Sequence, residues 1–514
     1  MSNTITNNKR IAKNTILLYF RMFLIMGITL YTSRIVLKAL GVEDFGIYNV
    51  VGGVVAMMGV LNSAMSVATT RYITYGLGKG DMLALKQTFA MCFQIFVLLS
   101  FIIFILSETV GLWFVNTQLT IPNEKLVAAN WCYQFSIFSC ISHLLLNPFN
   151  AVIIAHERMN IYAYISILDA FLRLLVAFII TILPSDQLII YSGLLFGASL
   201  IIALIYGVYC YCNYEESRYK FYWNSSLFKD LMSYSWWNLF GSLSGIARDQ
   251  GLNIMLNMFF GLTVNTARGI AYQVNAAVSQ FFSNFYTAVR PQITKYYSRD
   301  ELDNMFMLVF RSSKFSFYLI YIISLPIIIE TPFIIHTWLG QLPDFVVPFI
   351  RIIVVITAID AMSNPLMTSA HATGNIKLYQ FVVGTANMMV LPISYFVLKY
   401  GYSSPIAAFL VSLCISIIAL FLRLWIVGRL LPFPKLKYVQ EIFFKSIFVG
   451  FTASIIPVVL HFVIPSSVFT SITICFVCVI STLLVIYVLG LSQAEKVFIK
   501  IIMSKIKNDK FSAA

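Results

Sequence analysis

The sequence predicts an all-α, polytopic membrane protein of about fourteen transmembrane helices, built as two parallel six-helix lobes plus two C-terminal helices. Three observations predict it. The chain has too little charge for a water-facing surface, it carries a long series of apolar runs of spanning length, and a pair of motifs recurs about 215 residues apart.

Of 514 residues, 59% are hydrophobic and only 11% are charged, against roughly 25% charged residues in an average soluble chain. Side chains of this kind face lipid, where a helix satisfies its own backbone hydrogen bonds. The formal charge is +14. No basic run is interleaved with loop aromatics, so nucleic acid is not an expected partner, and the excess of Lys and Arg is that of cytoplasmic loops. The eight cysteines fall almost entirely within apolar stretches. Cys475 and Cys478 form a CxxC, but Ile, Thr, Phe and Val surround it, so packing is expected rather than a metal or redox site.

A ruler of roughly 20 apolar residues places the first six helices at 14–37, 47–69, 88–110, 127–150, 161–183 and 188–211. The first follows the polar stretch Met1 to Lys13; it outruns a signal-peptide core and no small-x-small cleavage site follows, so it is expected to be retained. The next six helices are placed at 234–259, 267–289, 313–335, 347–369, 379–398 and 403–426, and the last two at 443–464 and 468–490. The expected organisation is an N-lobe over 1–211, a cytoplasmic linker over 212–232, a C-lobe over 233–429, and helices thirteen and fourteen with a basic cytoplasmic tail over 430–514. With the N-terminus in the cytoplasm, the outer side holds little more than Arg34, Lys38, Lys125, Arg268, Arg351 and Lys399. The inner side holds roughly four times as many, which supports an even number of spans with both termini inside.

The repeat lies at the inner ends of helices four and ten. Asn147-Pro148 followed by Ala155-His156 and Asn160-Ile161 matches Asn364-Pro365 followed by Ala370-His371 and Asn375-Ile376. A second echo pairs Arg71-Tyr72-Ile73-Thr74-Tyr75 with the run from Arg290 through Ile293-Thr294 to Tyr296. The spacing equals six helices, an even number, so the two copies have the same orientation.

Charges within the membrane cost several kcal/mol each and need a reason. Helix one carries Arg21 and Arg34, helix five an i,i+4 pair of Asp169 and Arg173, and helix seven Arg248-Asp249. Helix eight begins with Arg268 and ends with Arg290, helix nine carries Glu330 and helix ten Asp360. Adjacent residues point in different directions on a helix, which argues against a simple internal pair of Arg248 with Asp249. Helices seven and eight are rich in polar residues such as Asn238, Gln250, Gln273 and Asn284, as befits a water-filled cavity. Arginine outnumbers carboxylate in the helices that lead each lobe, and its planar fork suits phosphate oxygens. An anionic substrate is expected, bound by Arg248, Asp249, Arg268, Arg21, Arg34 and Arg290, with Asp360 and Glu330 as candidate Na+ or H+ coupling sites. His143, His156, His336, His371 and His461 show no ligand spacing and read as structural or interfacial. No Walker loop, HExxH or GxSxG is present, so no cofactor, resident metal or enzymatic activity is expected and transport would be secondary.

Leu40-Gly41-Val42-Glu43-Asp44-Phe45-Gly46-Ile47-Tyr48 resembles the signature after helix one of bacterial polysaccharide flippases. Asp249 to Gly261 resembles their helix-seven segment, and Ala267-Arg268-Gly269-Ile270-Ala271-Tyr272-Gln273-Val274 their helix eight. The chain is thereby similar to the O-antigen and capsule flippases of the multidrug/oligosaccharidyl-lipid/polysaccharide exporter superfamily. The resemblance implies movement of an undecaprenyl-pyrophosphate-linked oligosaccharide from the inner to the outer leaflet of the bacterial cytoplasmic membrane by alternating access. It carries the cationic cavity of that group onto Arg248, Asp249 and Arg268, and less directly onto Arg21 and Arg34. Its implied partners are the lipid-linked oligosaccharide, membrane lipid, and polysaccharide polymerase and chain-length proteins, with the chain acting as a monomer. The coupling acid of the drug-exporting branch is missing from helix one, which carries no acid between Lys13 and Gly41. An ion-coupled multidrug antiporter and a membrane O-antigen polymerase or ligase remain the alternatives.

Overall fold

The computed structural model describes residues 2–56, 59–117, 121–183, 186–339, 342–401, 404–465, 467–493 and 495–496. These residues are helical throughout the regular structure, with no strand among them. Lys500, Lys505, Lys507 and Lys510 of the expected basic tail lie outside them.

The long helices are α1 (Asn14–Gly41), α2 (Gly59–Lys79), α3 (Met82–Thr117), α4 (Asn123–Ala155), α5 (Met159–Ile182) and α6 (Gln187–Asn213). They continue with α7 (Ser225–Phe260), α8 (Leu262–Ser298), α9 (Leu302–Ile329), α10 (Val346–Ala372) and α11 (Lys377–Tyr400). The last are α12 (Ile406–Leu430), α13 (Lys435–Val463) and α14 (Val468–Gly490). Eleven of the helices are long and apolar enough to cross a membrane. The three that fall short, α2, α7 and α8, are 21, 36 and 37 residues long. Their polar residues lower the hydropathy, on α7 and α8 as the expected water-lined faces would require. The span expected over 47–69 crosses residues 57–58, which lie outside the described ones.

Local chemistry sets several boundaries. Gly41, at φ 73°, turns the chain between α1 and the helical segment that follows it, a conformation glycine adopts without a Cβ penalty. Asp81 caps α3, its Oδ1 accepting from the Leu83 and Ala84 amides at 3.1 and 3.0 Å. Ser467 and Thr470 form a reciprocal capping box at the start of α14. Large apolar side chains stand exposed on the helices, Phe462 at 82% among them, as lipid-facing positions do.

The chain divides into two compact units. Unit 1 comprises Met1–Leu243, Thr287–Met305 and His371–Phe381. Ile73, Leu85, Phe89, Val152, Ile153 and Cys210 form one of its cores, drawn from α2, α3, α4 and α6. Unit 1 also holds most of the repeated motifs, with His371 to Ile376 but not Asn364, Pro365 and Ala370 of the second copy. Arg71 is buried between the rings of Tyr72 and Tyr75 and donates from Nη2 to the Ala372 carbonyl at 2.8 Å. A Cβ on Gly374, at φ 81°, would stand 2.7 Å from that Nη2, so glycine there serves both backbone and close approach. Glu157 pairs with Lys295 at 2.7 Å and accepts from Gln292. His156 stacks on Tyr214 and bonds Glu216, while His371 meets Tyr234 and Gln380. Pro148 and Pro365, the prolines of the two motifs, both lie inside helices.

Unit 2 comprises Ser244–Tyr286, Phe306–Ala370 and Val382–Ala514. Its core includes Leu256, Ala267, Val354, Phe349 and Phe409, and the last two rings stack with centroids 4.1 Å apart. Contacts of this kind hold membrane helices together through van der Waals packing, since lipid is as apolar as the side chains themselves.

Candidate functional site

In unit 1, polar groups from several helices face a cavity. Arg21, Thr29, Thr32 and Ser33 on α1 recur at near-helical spacing and point to one side. Ser166, Asp169 and Arg173 do the same on α5. With His143 on α4 and Tyr191 and Tyr206 on α6, they line a cavity of about 540 Å³. Arg173 holds both Asp169 oxygens from Nε at 3.1 Å, the i,i+4 pair read from the sequence. Arg21 has no such acid. Its guanidinium carbon lies 4.5 Å from the centroid of the Tyr162 ring. Its Nε and Nη1 are buried without a protein hydrogen-bond partner, as is the Thr32 hydroxyl. Two guanidiniums therefore face one carboxylate, which leaves the cavity one positive charge in excess while His143 is neutral.

Unit 2 carries a second cluster of the same balance. Arg248 Nε bonds Asp249 Oδ1 at 2.9 Å and its Nη1 reaches Asn387 Oδ1 at 3.3 Å. The neighbours thus touch, contrary to the expectation from helix direction, because the arginine side chain is long enough to curl back around α7. Arg268, buried on α8, donates from Nη2 to the Asp249 carbonyl and stacks 4.0 Å over Tyr272. The Tyr272 hydroxyl completes the ring of contacts to Asp249 Oδ1 at 3.4 Å.

The remaining expected site residues make other contacts, though the Asp360 charge acts on Arg248. Arg34 is exposed on α1. Arg290 belongs to unit 1, half-buried at Pro291, where its charge acts on Tyr234 and His371. Asp360 is bound by Arg423 Nη1 at 3.2 Å and by the Ser416 hydroxyl at 3.1 Å. Glu330 is bound by His461 Nδ1 at 2.7 Å. Sequence reasoning missed His143 as a cavity residue; its position one turn before Asn147 on α4 is the signal that places it on an inward face. Outside the spans, Glu216 feels burial that pushes its carboxyl up, yet the His156 hydrogen bond and a backbone hydrogen bond bring it below its ordinary value. Among the described residues, no three His, Cys, Asp or Glu side chains group to hold a metal ion.

Neither a family model nor a curated relative matches the sequence. Solved structures do match the fold. A MATE transporter crystallised in complex with MaD3S is 13% identical, with a TM-score of 0.70 over 82% of this chain and 97% of that one. The outward-facing conformation of a multidrug resistance MATE family transporter of the MOP superfamily gives 0.71, 13% identity and coverage of 82% and 96%. A MOP superfamily transporter from Pyrococcus furiosus, described as having a binding pocket of reversed polarity that suggests a different function, gives 0.65, 13% identity and coverage of 81% and 95%. This chain has the two-lobed helical fold of these membrane transporters.

Proposed function

We propose that this chain is a flippase that carries an anionic, lipid-linked oligosaccharide from the inner to the outer leaflet of the bacterial cytoplasmic membrane by alternating access, with both termini in the cytoplasm. The observation that carries the reading is Arg21, a guanidinium on a cavity wall with two nitrogens unclaimed by the protein. The guanidinium is a permanent cation and a charge-assisted donor for a phosphate or pyrophosphate oxygen. The hydroxyls of Thr29, Thr32, Ser33 and Ser166 around it suit sugar or phosphate oxygens. The second cluster, Arg248 and Arg268 around Asp249, repeats the excess of one positive charge in unit 2. An inside-negative potential favours the outward passage of negative charge by about 2.3 kcal/mol per charge per 100 mV. The undecaprenyl carrier and the O-antigen or capsule identity of the glycan rest on the sequence resemblance.

The fold neighbours favour a competing reading, ion-coupled drug antiport, since one of them is a multidrug resistance transporter. An antiporter of cationic drugs needs unpaired acids in its cavity, and the acid in the unit 1 cavity is already held by Arg173. The test is made in cells that depend on this chain for surface polysaccharide. Arg21→Ala and the double variant Arg248→Ala/Arg268→Ala should each lower surface polysaccharide, normalised to protein level, by about tenfold or more, the loss of one or two charge-assisted hydrogen bonds, at unchanged drug susceptibility. Normal polysaccharide with altered drug susceptibility would establish antiport instead.

A further inference from the structure

Four carboxylates in or beside the helices are held in two chemically different ways. Asp169, Asp249 and Asp360 are each bound by an arginine, whose charge never titrates in a protein. Glu330 is bound by an imidazole, His461 Nδ1, at 2.7 Å. Histidine is the side chain whose charge changes around neutral pH. The Glu330 side chain is 4% exposed and that of His461 35%, so the protein seals the acid and leaves part of the imidazole uncovered.

The position of the pair is as particular as its chemistry. Glu330 sits in the break between α9 and the short helix Thr331–Leu339. It lies one turn after Pro326, and its amide bonds the Pro326 carbonyl at 2.9 Å. His461 lies one turn after Pro457 in α13. A proline inside a helix removes a backbone hydrogen bond and makes a bending point. Both partners therefore stand just beyond a hinge, on helices that are joined before it by the Tyr321 hydroxyl, which donates to the Gly450 carbonyl at 2.8 Å. The carbonyls near the first hinge are tied down separately, Ile327 by the Thr331 hydroxyl and Ile328 by Arg351 Nε at 2.8 Å.

We infer that Glu330 and His461 form a proton-binding site, a clasp that closes the ends of α9 and α13 on each other when one proton is bound. With the proton in place an imidazolium faces a carboxylate and the pair is neutral. When it leaves, by the uncovered side of His461, a buried carboxylate keeps a full negative charge opposite a neutral ring, which is far less favourable than the ion pair. The ends then part at the two prolines. The other groups facing the site do not replace the proton. Cys475 and Cys478 on α14 are neutral thiols within reach of the Glu330 charge. Arg351 on α10 is engaged by a backbone carbonyl, and His336 on the short helix is exposed. A sodium ion is not the ligand expected here, because the imidazole fills the approach to the carboxylate. Coupling of this proton to cargo movement rests on the transport reading above; the proton site itself does not.

Amide hydrogen exchange of the full chain in proteoliposomes tests the clasp without any cargo. Corrected for the intrinsic pH dependence, exchange over 326–334 and 456–463 should be about tenfold or more faster at pH 8.5 than at pH 5.5 in the wild type. Glu330→Gln should abolish the difference, and His461→Lys, a permanent cation, should hold both segments protected at both pH values. A wild type with no pH response overturns the proposal, as does a Glu330→Gln protein that keeps the wild-type response. If a variant fails to elute as a single species, the wild-type response and the remaining variant decide.

Discussion

Arg21 lies over the ring of Tyr162, 4.5 Å from guanidinium carbon to ring centroid, with its Nε and Nη1 buried and no protein acceptor for either. The stack fixes the plane of the guanidinium. Arg21→Lys keeps the charge and loses the planar fork, so it should transport little better than Arg21→Ala. Tyr162→Phe should stay within about twofold of wild type and Tyr162→Ala should fall well below it, since stacking on the ring is worth about 0.5–1 kcal/mol or more. Surface polysaccharide in complemented cells reads all four.

In unit 2 the second arginine is already committed. Arg268 is 7% exposed and donates to the Asp249 carbonyl. Removing it frees that carbonyl and unstacks Tyr272. Arg268→Ala should therefore lower thermal stability, by about 1.5–3 kcal/mol for a bond to a charged group, as well as transport. Arg268→Lys should recover stability more than transport, because a point charge replaces the fork. Thermal unfolding of the purified chain separates the two effects.

Asp360 and Arg423 are joined at 3.2 Å, with side chains 31% and 11% exposed. Asp360→Asn removes the carboxylate that faces Arg423 and should cost about 1–3 kcal/mol, less than the 3–5 of a fully buried pair. Asp360→Asn/Arg423→Gln should recover part of that loss. The pH and sodium dependence of transport should be unchanged in the double variant, as expected of a permanently matched pair; a double variant that loses its ion response would return Asp360 to the coupling site.

The sequence made the spanning helices legible wherever lipid faces them, because a run of apolar residues is its own signal. It blurred α2, α7 and α8, whose polar faces dilute that signal, while the expected spans of 47–69 and 313–335 differ most from the helices themselves, Gly59–Lys79 and Leu302–Ile329. Arg21 stood out as a lone charge in an apolar run, and Asp169 with Arg173 through their i,i+4 spacing. The partners of Glu330 and Asp360 did not stand out. His461 and Arg423 are 131 and 63 residues away, and nothing in local periodicity joins such positions. The contact of Arg248 with Asp249 was hidden for a different reason, since backbone direction says little about where a long side chain ends.

Beyond the end of α14, Glu495 is bound by both of its oxygens to Lys314, at 2.9 and 2.6 Å. Burial pushes its carboxyl up, but the Lys314 hydrogen bond and charge, with the Ser492 amide, bring it below its ordinary 4.5. A carboxyl that is more acidic in the folded chain stabilises it above the unfolded value, and that contribution is lost as pH falls through the folded one. The wild type should lose thermal stability as pH falls below about 4.5, and Glu495→Gln should start lower and show a flatter acid limb. Identical acid limbs would remove this pair from the account.

The most direct measurement of the central claim is reconstitution of the full chain into liposomes with a fluorescent undecaprenyl-pyrophosphate oligosaccharide in the membrane. Accessibility to a membrane-impermeant quencher then reports crossing between leaflets. The account predicts crossing that depends on the chain, fails with Arg21→Ala, and is absent for the same oligosaccharide on an uncharged lipid. Equal crossing of charged and uncharged lipids, or drug–proton exchange with no lipid movement, would contradict it.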